Sequence, residues 1–287
     1  MRAITSVGFL YHPRVPEAKG LATQLERRVA ENGIESWVES AWATDRIAAR
    51  QSLPDLLVVL GGDGTILRVA RAALRHGEGK PSHTPPLLTV DFGTLGFLAE
   101  LSPQEVEAGL QRLLAEGPTW IEARKLLHAT LRRDGQVIAE DHALNDVVLA
   151  RGSSPQALRL VLHVEGALVE RYTADGIIVA SPTGSTAYAQ GAGGPILTPD
   201  IEAMVIVPIA PHFALVQSLV VPSKSEVQLS ASASRDMVIA IDGQRHLRFI
   251  EGDTLQISGS DAVVRFVRLG GHDYFYENFR RKLGRAS

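Results

Sequence analysis

The apolar run Leu57-Val58-Val59-Leu60 leads straight into Gly61-Gly62-Asp63-Gly64-Thr65. An apolar stretch that short, closed by glycines, is the pattern of a strand buried in a parallel sheet. The residues from Ile66 to Leu74 repeat apolar side chains at intervals of three and four, which predicts a helix. The glycines therefore stand at a strand-to-helix corner. In open α/β sheets ligands gather at the carboxyl ends of strands. The helix N-termini there present unpaired N–H groups and a partial positive charge. Three glycines let a phosphate come close to the backbone and permit positive φ. No Lys follows them, which excludes a Walker A loop. The one charge is Asp63, which would repel a phosphate, so its expected work is to hold a metal or to take a proton from an attacking hydroxyl. The plainer reading is a tight turn with Asp63 as helix N-cap.

Around this corner the pattern alternates. Ile4 to Leu10, Ile34 to Val38, Leu56 to Leu60 and Leu87 to Asp91 read as strands, with a helix from Glu17 to Asn32 between the first two. Ser102-Pro103-Gln104-Glu105 reads as a helix opening with a Ser cap, and Gly117-Pro118 as its end. Alternation of this kind predicts a doubly wound α/β domain with a parallel sheet. From about Trp120 the pattern changes to short strand lengths separated by turn residues, beginning with a hairpin at Asp134-Gly135. The domain limits that follow are 1–120 for the α/β domain, 121–270 for a larger all-β C-terminal domain and 271–287 for a short terminal amphipathic helix.

Composition narrows the partners. A net charge of -3 gives no ground for nucleic acid or an anionic membrane surface, and 45% hydrophobic residues suffice for a sizeable core. The absence of cysteine excludes disulfides, thiolate metal sites and a Cys nucleophile, and fits a cytoplasmic enzyme. No apolar run approaches the ~18 residues of a membrane span. The first ten residues are too polar for a signal peptide. The histidines show no zinc-protease spacing.

A second dense stretch runs from Thr173 to Gln190. Thr183, Ser185 and Thr186 supply hydroxyls around Gly184 and Ala187, and Tyr188 could stack on a flat base. Asn145-Asp146 precedes another apolar run. An Asn amide matches the edge of adenine, and a carboxylate can take both hydroxyls of a ribose. Each pattern alone has a structural explanation, as a packed small-residue loop or an ordinary turn.

Together they carry a resemblance. Gly61-Gly62-Asp63-Gly64-Thr65 after an apolar strand resembles the signature of a superfamily that includes NAD kinases, lipid kinases and, more distantly, phosphofructokinases. The succession of Gly93-Thr94-Leu95-Gly96-Phe97-Leu98, Asn145-Asp146, Asp175-Gly176, Thr183 to Tyr188, Pro211-His212 and Asp242-Gly243-Gln244 is similar to that of NAD kinases over nearly the whole chain. Lipid kinases lack the Thr183 to Tyr188 block. The family usually has Asn-Glu where this chain has Asn145-Asp146, a carboxylate one methylene shorter.

The resemblance implies NAD bound between the two domains and ATP-dependent phosphorylation of the 2′-hydroxyl of its adenosine ribose, giving NADP. It implies Asp63 as the catalytic base, with Gly61, Gly62, Gly64 and Thr65 facing the donor's phosphates. Phe97, Asn145, Asp146, Asp175, Thr183, Ser185, Thr186, Ala187, Tyr188 and His212 match positions that face NAD. It also implies Mg²⁺ or another divalent metal, whose ligands the sequence does not name, and ATP or polyphosphate as donor. It further implies a homodimer or homotetramer with site residues shared across subunits, and a terminal helix that returns to the first domain. Two rivals remain. A lipid kinase would need an apolar acceptor pocket in place of the hydroxyl-rich block. A non-catalytic NAD(P)-binding regulator is opposed by the intact Asp63 and kept open by Asp146.

Overall fold

The computed structural model describes residues 4–76, 84–93, 96–153, 156–212, 217–232 and 236–283. Thr94 and Leu95 of the second motif, residues 77–83 and the first three residues lie outside them. The chain forms two compact units, one of residues up to Ala123 together with those from Ala262 onward, the other Arg124–Asp261.

The first unit begins β1 (Ser6–Tyr11), α1 (Pro16–Glu31), β2 (Glu35–Ser40), α2 (Thr44–Ala48), β3 (Leu56–Leu60), α3 (Asp63–His76), β4 (Leu87–Val90) and α4 (Val106–Glu116). Its strands are parallel in the order β2-β1-β3-β4. The chain therefore turns one way from β1 to β2 and the other way to β3, which makes the carboxyl ends of β1 and β3 a switch point where such sheets bind ligands. All five side chains of β3 are buried, as its apolar run predicts, each contributing roughly 1.5–3 kcal/mol. Ala18, Ala22, Leu25 and Val29 of α1 pack against that sheet, and the helix stops at Asn32 before Gly33 at φ 76°. One expectation is corrected. α4 starts at Val106, and Ser102 donates its hydroxyl to Glu105 instead of capping a helix.

β5 (Trp120–Arg133) carries the chain into the second unit. There follow β6 (Gln136–Ala143), β7 (Asp146–Arg151), β8 (Leu158–Val164), β9 (Ala167–Ala174), β10 (Gly176–Ala180), α5 (Tyr188–Gly191), β11 (Ala203–Ile209), β12 (Leu219–Pro222), β13 (Val227–Ser232), β14 (Met237–Ile241) and β15 (Arg245–Phe249). β16 (Thr254–Arg268) then returns to the first unit, which α6 (Tyr274–Leu283) completes. The hairpins turn at Asp134-Gly135 and Glu165-Gly166, all four residues at positive φ, which matches the strand twist.

Six antiparallel strands, β12-β11-β10-β7-β14-β15, form one sheet of the second unit. Its Val147, Leu149, Ile177, Val179 and Ile239 share a core with Leu160 and Leu162 of β8 and Leu229 of β13. Val148, Ile178 and Ala180 on the other face pack with Ala189 and Leu197. β10 is thus covered on both faces, which explains its unbroken apolar run. β11 is also buried, and its Pro208 stands one residue from the strand's end. Among the described residues no helix is long and apolar enough to cross a membrane.

Candidate functional site

In the first unit Gly62 ends the turn after β3, and its carbonyl accepts from the amides of Thr65 and Ile66, which makes it the residue before the first helical one. Asp63 is therefore the first residue of α3 and not its N-cap. Its carboxylate reaches the loop after β4. Phe97 donates its amide to Oδ2 at 3.0 Å and Leu98 to Oδ1 at 3.3 Å. That loop is itself held. Asp91 accepts from the amides of Gly93 and Gly96, and the Thr89 hydroxyl donates to the Leu98 carbonyl at 2.8 Å. A side chain at Gly96 would put Cβ 2.0 Å from Asp63 Oδ1, so glycine there is what lets the loop close over the carboxylate.

The glycines of the corner match one of their two expected roles and not the other. None of Gly61, Gly62 and Gly64 has positive φ. Gly61 is needed because Cβ would strike the Thr65 side chain at 2.5 Å, whereas Gly62 and Gly64 have open space where Cβ would be. The backbone at those two positions is bare by composition and not by strain, which is how a loop admits a phosphate. Phe97 is buried, its ring 6.0 Å from that of Phe275.

In the second unit Asp242 is the organiser, a residue that sequence reading noted only as part of a motif. At φ 51°, between β14 and β15, its carboxylate accepts from the successive amides of Leu144, Asn145 and Asp146 at 3.0, 2.7 and 3.2 Å. This corner explains why β7 begins at Asp146. Ser181 donates its hydroxyl to the Leu144 carbonyl and its amide to the Asn145 carbonyl. Gly184 passes so close that a Cβ would lie 2.0 Å from the Asn145 oxygen. The 183–188 segment is thereby bound to Asn145-Asp146 by backbone approach.

The hydroxyls of that segment are largely spent on the segment itself. Ser185, with 0% exposure, donates to the Pro182 carbonyl and accepts from the Leu197 amide, which makes it a framework residue. Thr186 donates to the Thr183 carbonyl, and the buried Thr183 hydroxyl accepts from Arg124 at 3.1 Å. Tyr188, at the start of α5, is 50% exposed, so its ring presents a face to solvent. Asp146 is 5% exposed, and burial first, then the neighbouring Asp242 charge, pushes its carboxyl up to about 7.

Asp175 and His212 do not join this group. Asp175 precedes β10 and Ser181 follows it, a span of roughly 20 Å at strand rise. The Asp175 carboxylate pairs with Arg151 through Nε at 2.8 Å and Nη2 at 3.2 Å, and His212 donates its amide to the Thr173 carbonyl at the same end. Among the described residues no three metal-ligating side chains stand together.

The comparisons agree over both units. A family model described as the ATP-NAD kinase N-terminal domain matches residues 7–117, and one described as the ATP-NAD kinase C-terminal domain matches 144–269. A NAD kinase of Dehalococcoides mccartyi (strain CBDB1) is 38% identical over 278 residues, which cover 96% of this chain and 95% of the relative. A NAD kinase of Pseudomonas fluorescens (strain SBW25) is 40% identical over 81% of this chain and 76% of its own length. Among solved structures, yeast NADH kinase complexed with NADH matches at TM-score 0.85 and 25% identity, covering 99% of this chain and 89% of its own. A NAD kinase from Archaeoglobus fulgidus in complex with ATP matches in fold, at TM-score 0.74 and 24% identity over 96% of this chain and 98% of its own.

Proposed function

The chain belongs to the NAD kinase family, and on that premise we propose that it transfers the γ-phosphoryl group of ATP to the 2′-hydroxyl on the adenosine ribose of NAD. The hydroxyl oxygen forms the new bond to phosphorus, the bond to the ADP oxygen breaks, and Asp63 receives the hydroxyl proton. A ribose hydroxyl is a poor nucleophile at neutral pH, and a carboxylate within hydrogen-bond reach can take its proton as transfer proceeds. The observation that carries this reading is the Asp63 carboxylate clasped by the Phe97 and Leu98 amides, an orientation that needs Gly96. ATP as donor is supported by the description of the matching family models.

Mg²⁺ belongs to the same proposal as a metal that arrives on the donor's phosphates, since such ions keep several waters and need few protein ligands. It would neutralise the phosphates' charge. No step here depends on a protein cage for it.

The acceptor is assigned to Asn145, Asp146 and the backbone and Tyr188 ring of the 183–188 segment, a reading supported by the likeness to a NADH kinase that holds NADH. Phe97 is assigned to the same acceptor. Asp175 and His212, a strand length away, are assigned to the acceptor site of a neighbouring protomer in a homodimer or homotetramer. A cytoplasmic place of work is part of the proposal and is supported by the cysteine-free chain.

The test is NADP formation by the pure protein with NAD, Mg²⁺ and, in turn, ATP, other nucleoside triphosphates and polyphosphate. Asp63→Asn should lower kcat by about 10²–10⁴-fold while NAD still binds. Near-normal turnover in that variant would remove Asp63 from the chemistry.

A further inference from the structure

The Leu98 carbonyl that Thr89 holds has a second donor, and it comes from the other end of the chain. Arg268, the last residue of β16, is 0% exposed and gives Nη1 to the Leu98 oxygen at 3.3 Å. Its remaining N–H groups are all engaged. Nε and Nη2 donate to Glu122 Oε2 at 2.9 and 2.7 Å, Nη1 to Glu100 Oε2 at 3.0 Å, and Nη2 to the Tyr274 hydroxyl at 2.9 Å. Five N–H groups make five bonds to four partners, which the rigid guanidinium fork allows.

The partners tie this cation to α6. Glu100 accepts from the amides of Leu269 and Gly270, and Tyr274 donates to Glu122. Tyr274 lies under the guanidinium at 3.9 Å, and the next residue, Phe275, carries the ring that meets Phe97. The two residues whose amides clasp Asp63 are therefore both braced by the C-terminal segment, Leu98 through its carbonyl and Phe97 through its ring.

A buried cation with two buried carboxylates gives little net stability, because desolvation offsets the attraction, and apolar side chains of like volume often do as well. What an apolar set cannot do is fix a carbonyl in direction. We propose that Arg268 is a positioning residue for phosphoryl transfer, holding the Leu98 peptide so that the 97–98 amides keep the Asp63 carboxylate aimed. This rests on the reading of Asp63 as base.

The test is a double-mutant cycle on the full chain. Arg268→Lys keeps the charge but puts its donors on one nitrogen, which cannot serve Leu98, Glu100 and Glu122 in their present directions. A misplacement of about 1 Å in a catalytic group can cost about 10²-fold, so kcat should fall by about that factor. KM for ATP should stay within about twofold, because the change touches no group assigned to the donor. In an Asp63→Asn background the same substitution should change kcat by less than about threefold, since residues that act through one another are non-additive. Equal fold-losses in both backgrounds, or an unchanged kcat in folded Arg268→Lys, would overturn the positioning role and leave Asp63 as base. Near-normal turnover of Asp63→Asn alone would overturn both. If Arg268→Lys loses its cooperative unfolding transition, Tyr274→Phe takes its place in the cycle, removing one partner of Arg268 while keeping the ring.

Discussion

Asp146→Asn separates the burial of a carboxylate from its use. In the folded protein the Asp146 carboxyl is pushed from 3.8 up to about 7, by burial first and then by the Asp242 charge. That gap is about three pH units, and at about 1.4 kcal/mol each it amounts to about 4 kcal/mol. The sign follows from which form the fold prefers. A raised value means that the native state favours the protonated carboxyl, so the stability it lends is full below about pH 4 and is lost as pH rises to about 7. Asn has nearly the same shape and does not titrate. The difference in unfolding free energy between Asp146→Asn and the parent should therefore widen by about 2 kcal/mol between pH 5 and pH 7, in favour of the variant, and level off above about pH 8. Calorimetric unfolding of both proteins across that range measures it. Parallel curves would refute the reasoning and mean that Asp146 is ionised in the fold at every pH tested. Binding is the companion readout. If the carboxylate meets the ribose, Asp146→Ala should weaken NAD binding by about 1.5–3 kcal/mol, and unchanged affinity would leave Asn145-Asp146 as a structural corner.

Gly96→Ala would place a methyl 2.0 Å from Asp63 Oδ1, so the loop must open. kcat should fall by about 10²-fold or more with a far smaller change in unfolding midpoint, and normal kcat would mean that the clasp is not needed. Tyr188→Ala should raise KM for NAD about tenfold and leave that for ATP near the parent value, since base stacking is worth about 1–3 kcal/mol. A change confined to the ATP KM would move the segment to the donor side. Co-folding Asp63→Asn with Asp175→Ala tests shared sites. If Asp175 serves a neighbour, half the sites of each mixed dimer are intact, so activity should return to roughly a quarter of the parent's, and no recovery would assign Asp175 to its own protomer.

The corner after β3 was legible because everything that defines it is local. Four apolar residues set the strand, the glycines set the corner, and the three-and-four spacing sets α3. The hairpin at Asp134-Gly135 was legible for the same reason, since a turn's φ preferences are written in two adjacent residues. β16 was harder. Short strand lengths separated by turn residues were expected from Trp120 onward, and the chain instead runs as one strand through Gly259, where a Cβ would meet the Ser223 carbonyl at 2.5 Å. Within the chain alone that glycine reads as a break. Beside a second backbone it is the condition for continuing.

The same distinction separates the site residues that sequence can name from those it cannot. Asp63, Asn145 and Tyr188 announce themselves by type and neighbours. Gly96, Asp242 and Arg268 act on residues 33, 97 and 170 positions away, taking Asp63, Asn145 and Leu98 as their partners. Gly96 and Asp242 stand in motifs that do not state their work, and nothing local marks Arg268, because a carboxylate that gathers three amides and one on a solvated turn have the same local spelling. The corner glycines show the converse. Of the two expected reasons for them, positive φ is absent, while bare backbone open to a close approach holds at Gly62 and Gly64 beside a packed Gly61. The proposed base can thus be read from its motif, whereas the aim proposed for it would come from a loop after the next strand and from an arginine near the end of the chain. Substitutions far from the glycine corner should therefore reach kcat before they reach KM.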